Sequence, residues 1–149
     1  MIDKAESGSG KILFHVPNVA AIAVGRSHKS EEVIMSGLRW YVRVDRECSK
    51  QTDNVENLSV FLFCQTPLGA PPFDYFSSVT QRAAILSATG ASLSKGNKFI
   101  VRSQGVYQGY GWFNFCKWAD LINPSNKYVA TDGSMLLESE WGYERYVLS

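Results

Sequence analysis

Between residues 38 and 46 every second residue is apolar: Leu38, Trp40, Val42 and Val44 alternate with Arg39, Tyr41, Arg43 and Asp45. Successive side chains of a strand point to opposite faces, so this spacing predicts a strand with one dry and one wet face. A strand of that kind cannot stand alone, because its dry face needs a second layer. Further strand signals lie at residues 12–16, 31–35, 58–65, 98–102 and 135–141. Residues 75–86 are β-rich at the start and alanine-rich at the end. They read as a strand because their neighbours are strands and Thr89-Gly90 offers a turn into the next one. Residues 19–24 read as a short edge strand or a buried loop. Residues 47–57, 66–73 and 91–97 read as loops, the second of them carrying Pro67, Gly69, Pro71 and Pro72. Residues 128–130 are a short extended piece before the turn signal Asp132-Gly133. A helix is the alternative for residues 79–86; apart from that, only residues 118–122 resemble a helix, one turn stopped by Asn123-Pro124. The expected fold is therefore all-β, an antiparallel β-sandwich of about eight strands with one short helix.

A chain of 149 residues makes one domain. It can bury roughly 70% of its unfolded surface and needs no metal or disulfide to hold it. The opening ten residues, MIDKAESGSG, are polar and read as a flexible tail, with the domain proper at residues 11–146. The 15 basic and 14 acidic residues nearly cancel and form no basic stripe, which argues against nucleic acid. No apolar run approaches the ~18 residues of a membrane span. Cys48, Cys64 and Cys116 are too widely spaced for a zinc motif. An odd cysteine count without a secretory signal fits reduced thiols in the cytoplasm or nucleus.

Catalytic chemistry finds little support. His15 sits in a strand and His28 in a loop, and neither has the local signature of a nucleophilic triad. Glu138 and Glu140 share one strand face, most simply the wet one. Gly105, Gly109 and Gly111 lack the Lys-Ser/Thr of a phosphate loop and suit a bulge or tight turn instead. The chain reads as a binding module, not an enzyme, with no cofactor and no metal.

What remains is aromatic. Residues 104–122 hold Tyr107, Tyr110, Trp112, Phe113, Phe115 and Trp118 among those glycines. Tyr110 and Trp112 flank Gly111 and point the same way in extended geometry; Phe113 and Phe115 then point to the opposite side, toward the core. Phe61 and Phe63 fall on the nominally wet row of residues 58–65. Rings on both alternation phases of two strands exceed what one core face requires, and a shallow groove for an extended peptide accounts for the surplus.

The run Gly109-Tyr110-Gly111-Trp112-Phe113, continuing to Asn123-Pro124 and Tyr128-Val129, resembles the C-terminal signature of MATH (meprin and TRAF homology) domains. Residues 39–44 resemble that family's Trp-containing strand, residues 57–63 its Leu-Ser-Leu-Tyr-Leu strand, and residues 132–140 its closing strand. In general style the sequence is similar to the nematode-type branch. The resemblance implies an eight-stranded antiparallel sandwich that binds short linear peptides of partner proteins. Many members recruit such partners to a ubiquitin ligase or a deubiquitinase. It places the peptide groove at Phe61, Gln81, Phe99, Tyr110, Gly111 and Trp112. Here the family's Trp-Gly-Phe order is exchanged to Tyr110-Gly111-Trp112, the groove Tyr is Phe61, and a groove Phe is Gln81. The alternative expectation is a scaffold or homo-oligomerisation domain that presses the same rings against another folded domain.

Overall fold

The computed structural model describes residues 2–35, 37–65, 75–87, 92–102 and 109–148. The expected loop at residues 66–73, the Thr89-Gly90 turn and residues 104–108 of the ring-rich stretch lie outside the described residues. Two antiparallel sheets make up the fold. The first has the order β1 (Ile2–Val16), β9 (Met135–Leu148), β6 (Tyr75–Leu86), β7 (Leu93–Arg102). The second has the order β2 (Ser27–Lys29), β4 (Leu38–Glu47), β5 (Asn57–Gln65), β8 (Gly109–Lys117), with the short β3 (Val33–Met35) sharing the edge of β4 with β2. Among the described residues the one α-helix is α1 (Trp118–Ile122).

The dry row of β4 is buried as its alternation predicts, but Tyr41 and Asp45 of the expected wet row are buried as well. Leu38, Trp40, Val42 and Val44 are buried between the sheets, together with Leu58, Val60, Leu62 and Cys64 of β5. The first sheet answers with Val79, Ala83 and Ile85 of β6 and Leu137, Trp141 and Tyr143 of β9. Trp40 joins the two layers: its ring centroid lies 5.2 Å from that of Trp141, nearly parallel, and 5.2 Å from that of Tyr143. Its indole N–H donates to the Met35 carbonyl at 3.2 Å.

Several expectations need correction. The first ten residues are not a tail in this structure: β1 begins at Ile2 and pairs with β9 throughout its length. The reason lies in its small residues. A Cβ on Gly10 would stand 2.3 Å from the Trp141 ring, and one on Gly8 would stand 2.6 Å from the Tyr143 hydroxyl. The Ser-Gly alternation is thus a seat for two large rings, and its low complexity hides a strand. For the same reason β9 runs on past residue 141. His28 belongs to β2 and not to a loop. β7 starts at Leu93, its inner row (Leu93, Lys95, Asn97, Phe99, Val101) facing the other sheet and its outer row exposed; residues 93–97, expected as loop, are strand. Residues 19–24 take the buried-loop alternative: a 3-10 turn at Val19–Ala21 carries Val19 and Ile22 into the core. Residues 128–130 form no strand.

The three thiols differ in environment. Cys48 is exposed, whereas Cys64 and Cys116 are buried. Burial pushes the Cys64 thiol up to about 12, and burial with the nearby Asp120 carboxylate pushes Cys116 up to about 11. Thiolate is the reactive form. In the native protein Ellman's reagent at neutral pH should therefore titrate Cys48 rapidly, and the other two only after denaturant is added. Rapid reaction of all three would contradict this packing.

Candidate functional site

Each sheet ends in an edge strand on the same side of the sandwich, β7 in the first and β8 in the second. Their inner faces meet across a seam. There Phe99 of β7 stacks on Tyr110 of β8, with centroids 4.3 Å apart and planes 13° apart. Gln81 of β6 is 3% exposed and reaches across the seam, its Nε2 donating to the Tyr110 carbonyl at 2.9 Å. A buried amide needs such a partner, and it finds it on the backbone of the edge strand. Lys95 makes the equivalent crossing further along, its Nζ donating to the Asn114 carbonyl at 3.0 Å. Below that, a cavity of about 540 Å³ opens between Leu93, Lys95, Phe115 and Tyr128.

β8 itself is irregular. Val60 faces Trp112 and Leu58 faces Cys116, so three residues of β8 stand opposite the single Ser59. This bulge breaks the simple alternation. Trp112 stays on the inner side and meets Phe115 edge-on, centroids 5.5 Å apart at 61°. Phe115 is fully in the core, as its position suggested. Phe113 is not: it is 42% exposed on the outer face, where it packs T-shaped on Phe61 with centroids 5.0 Å apart. The expectation that put Phe113 and Phe115 on the core side, opposite Tyr110 and Trp112, fails: Tyr110 and Trp112 pack against the core, Phe113 faces outward by simple alternation from Trp112, and the bulge brings only Phe115 back inside.

The outer face of the second sheet carries its own ring cluster. Tyr41, Phe61 and Phe63 form a small buried group separate from the main core. Tyr41 and Phe63 stack at 4.9 Å, and the Lys29 ammonium lies 4.2 Å from the Tyr41 ring centre. The Arg43 guanidinium covers Phe63 at 4.8 Å and pairs with Asp45 at 3.2 Å. Cation–π contacts of this kind hold a charged group flat over the rings. Beside them, Asp45 Oδ1, Ser59 Oγ and Arg43 Nε are buried with no hydrogen-bond partner.

The six residues singled out in the sequence thus divide across β8. Gln81, Phe99, Tyr110 and Trp112 lie on the seam side. Phe61 lies on the outer side, directly opposite Gly111 in the β5–β8 ladder. Gly111 is required by the fold: a Cβ there would stand 1.9 Å from the Val60 carbonyl oxygen. That contact is with the protein's own backbone, which gives the glycine a role in seating β8 on β5. Tyr41, Arg43 and Phe113 join Phe61 and Phe63 in the outer cluster, and nothing in the sequence placed them there. The sequence placed Tyr41 and Arg43 on a wet row, and only the register pairing Arg43 with Phe61 and Tyr41 with Phe63 brings them to the rings.

Among the described residues no three His, Cys, Asp or Glu side chains are grouped to hold a metal ion, and no helix is long and apolar enough to cross a membrane. The fold is an antiparallel β-sandwich with a ring-lined edge strand, and the sequence comparison gives its family. The chain matches the MATH domain family over residues 16–140 and belongs to that family, whose domains are generally protein–protein interaction modules. Its fold is similar to that of TRAF5 from Notothenia coriiceps, with a TM-score of 0.57 at 13% sequence identity, over 87% of this chain and 72% of that one. No curated protein matches the sequence significantly.

Proposed function

We propose that this domain binds an extended segment of a partner protein along the free edge of β8. The observation that carries the reading is the position of β8: it is an edge strand with rings on both faces. Tyr110, Trp112 and Phe99 lie on one side and Phe61 and Phe113 on the other. An added strand would take its register from backbone hydrogen bonds and drop alternate side chains onto the two ring sets. Because Gln81 occupies the place of an aromatic groove residue in the family resemblance, the segment preferred here differs from the usual one.

The domain acts as a recruiting module without catalysis of its own, working in the cytoplasm or nucleus, where its three free thiols suit a reducing environment. Delivery of the partner to a ubiquitin ligase or a deubiquitinase is the role the family resemblance suggests. Affinity is modest, in the micromolar range, because a short segment buries little area and loses conformational freedom.

Trp112→Ala tests the reading. It should weaken binding of peptides selected from a random display library by about 1–3 kcal/mol, as for an aromatic anchor. The melting curve should remain cooperative, since Trp112 is only partly buried. If the variant unfolds, Trp112 is a core residue and the site is misassigned. If it folds and binds normally, the β8 edge is not the site.

A further inference from the structure

The sandwich has a second seam, on the side away from β8. There β1 is the outer strand of the first sheet, and β2 and β3 form the edge of the second. Among the described residues nothing pairs with the other edge of β1. A cavity of about 530 Å³ lies between them, and its lining is unusual. It consists of two unbroken runs, residues 11–15 of β1 and residues 29–33 of the β2–β3 connection. Side chains of one sheet face would contribute only alternate residues. Consecutive residues mean that the walls are strand edges, with backbone N–H and C=O groups turned into the slot. Five residues of β1 offer about 16 Å of such edge.

We infer that this slot is a second binding site, distinct from the β8 edge, for an extended segment of a partner protein. Two features narrow its chemistry. The cations of the lining are already engaged: Lys29 with Glu32 at 2.7 Å, and Lys11 with Glu138 at 3.1 Å. Glu32 also meets Arg39 at 3.5 Å. Glu31 is exposed at the mouth and has no ion pair among the described residues. Besides Ser30 and His15 the rest of the lining is apolar: Leu13 is 57% exposed, Phe14 and Val33 are half-buried, and Ile12 is buried. A strand added to β1 would place alternate side chains beside Leu13 on the outer face and beside Phe14 and Val33 on the inner one. The occupant is therefore a segment with apolar side chains at alternate positions and a Lys or Arg that meets Glu31. Free strand edges are ordinarily blunted by charge, proline or a covering loop. None of these devices stands along Ile12, Leu13 and Phe14.

The experiment pans a random peptide display library on the whole chain and maps each selected peptide by backbone amide chemical shifts. The expected result is a class of peptides that moves the amides of residues 12–15 and 31–33. Its members alternate apolar residues and carry a basic one. The Leu13→Lys, Glu31→Lys double variant should weaken that class about tenfold, while Trp112→Ala leaves it unchanged. Both substituted side chains are exposed, so the fold should survive. The inference is overturned if no selected peptide moves these amides. It is equally overturned if every peptide is lost with Trp112→Ala, or if light scattering shows a dimer that only the double variant dissolves. In the last case the occupant is a second copy of this chain.

Discussion

Trp40→Ala should destabilise the domain by about 4 kcal/mol, within the range of 3–5 kcal/mol for buried aromatic truncations. Three losses combine. The ring stacks on Trp141 and Tyr143 from the opposite sheet, so its removal opens a cavity at the point where the layers are joined. The indole N–H leaves the Met35 carbonyl without its donor, which loosens the turn out of β3. Trp141 keeps a buried Nε1 that already lacks a hydrogen-bond partner, so the neighbouring ring cannot compensate by a polar contact of its own. A domain of this size has about 5–15 kcal/mol of total stability. The variant should therefore melt about 8–16 °C lower, with a matching fall in the urea midpoint. A shift of under about 1 kcal/mol would mean that the sheets are held together elsewhere.

Gly111→Ala should cost about 3 kcal/mol, at the upper end of the range for an overpacked site. The added methyl meets a backbone oxygen, that of Val60 at 1.9 Å, and the Phe61 Cα at 2.9 Å. Neither can rotate aside as a side chain can. β8 must lift from β5, and with it Tyr110 and Trp112 move relative to Phe99. Binding at the β8 edge should then fall further than with Trp112→Ala, because the whole edge is displaced and not one anchor. Urea denaturation and titration with a library-selected peptide separate the two effects. Gly109→Ala provides the comparison: its methyl would meet the Phe63 ring at 2.5 Å. A ring can tilt, so that variant should lose less stability. Equal losses would show that the close approach to Val60 does not govern the strand.

The sheet structure was legible wherever one face is dry and the other wet. β4 reads directly from Leu38, Trp40, Val42 and Val44, and β5 from Leu58, Val60, Leu62 and Cys64. β6 was recoverable despite its alanines, because its neighbours were strands. The polar first half of β1 was not, since Gly8 and Gly10 contribute space and no apolar signal. Only their partners, Tyr143 and Trp141, give them meaning, and those lie more than a hundred residues away. The start of β7 was missed for a related reason. Leu93 and Lys95 work through what they cross the seam to meet, and nothing local marks that.

The ring-rich stretch shows the same division. Strand alternation along the whole chain determined that it would be a sandwich, and this stretch showed more rings than one core face requires. Composition and alternation suffice for that, because burial depends on side-chain type and on a period of two. The tertiary structure decided which face each ring occupies. Simple alternation from the inward Trp112 turns Phe113 outward, and the three residues of β8 opposite Ser59 bring Phe115 back within. The register of β4 on β5 sets Arg43 over Phe63. Register and bulges arise from contacts between strands distant in sequence, and a one-residue change in either moves a ring from one face to the other.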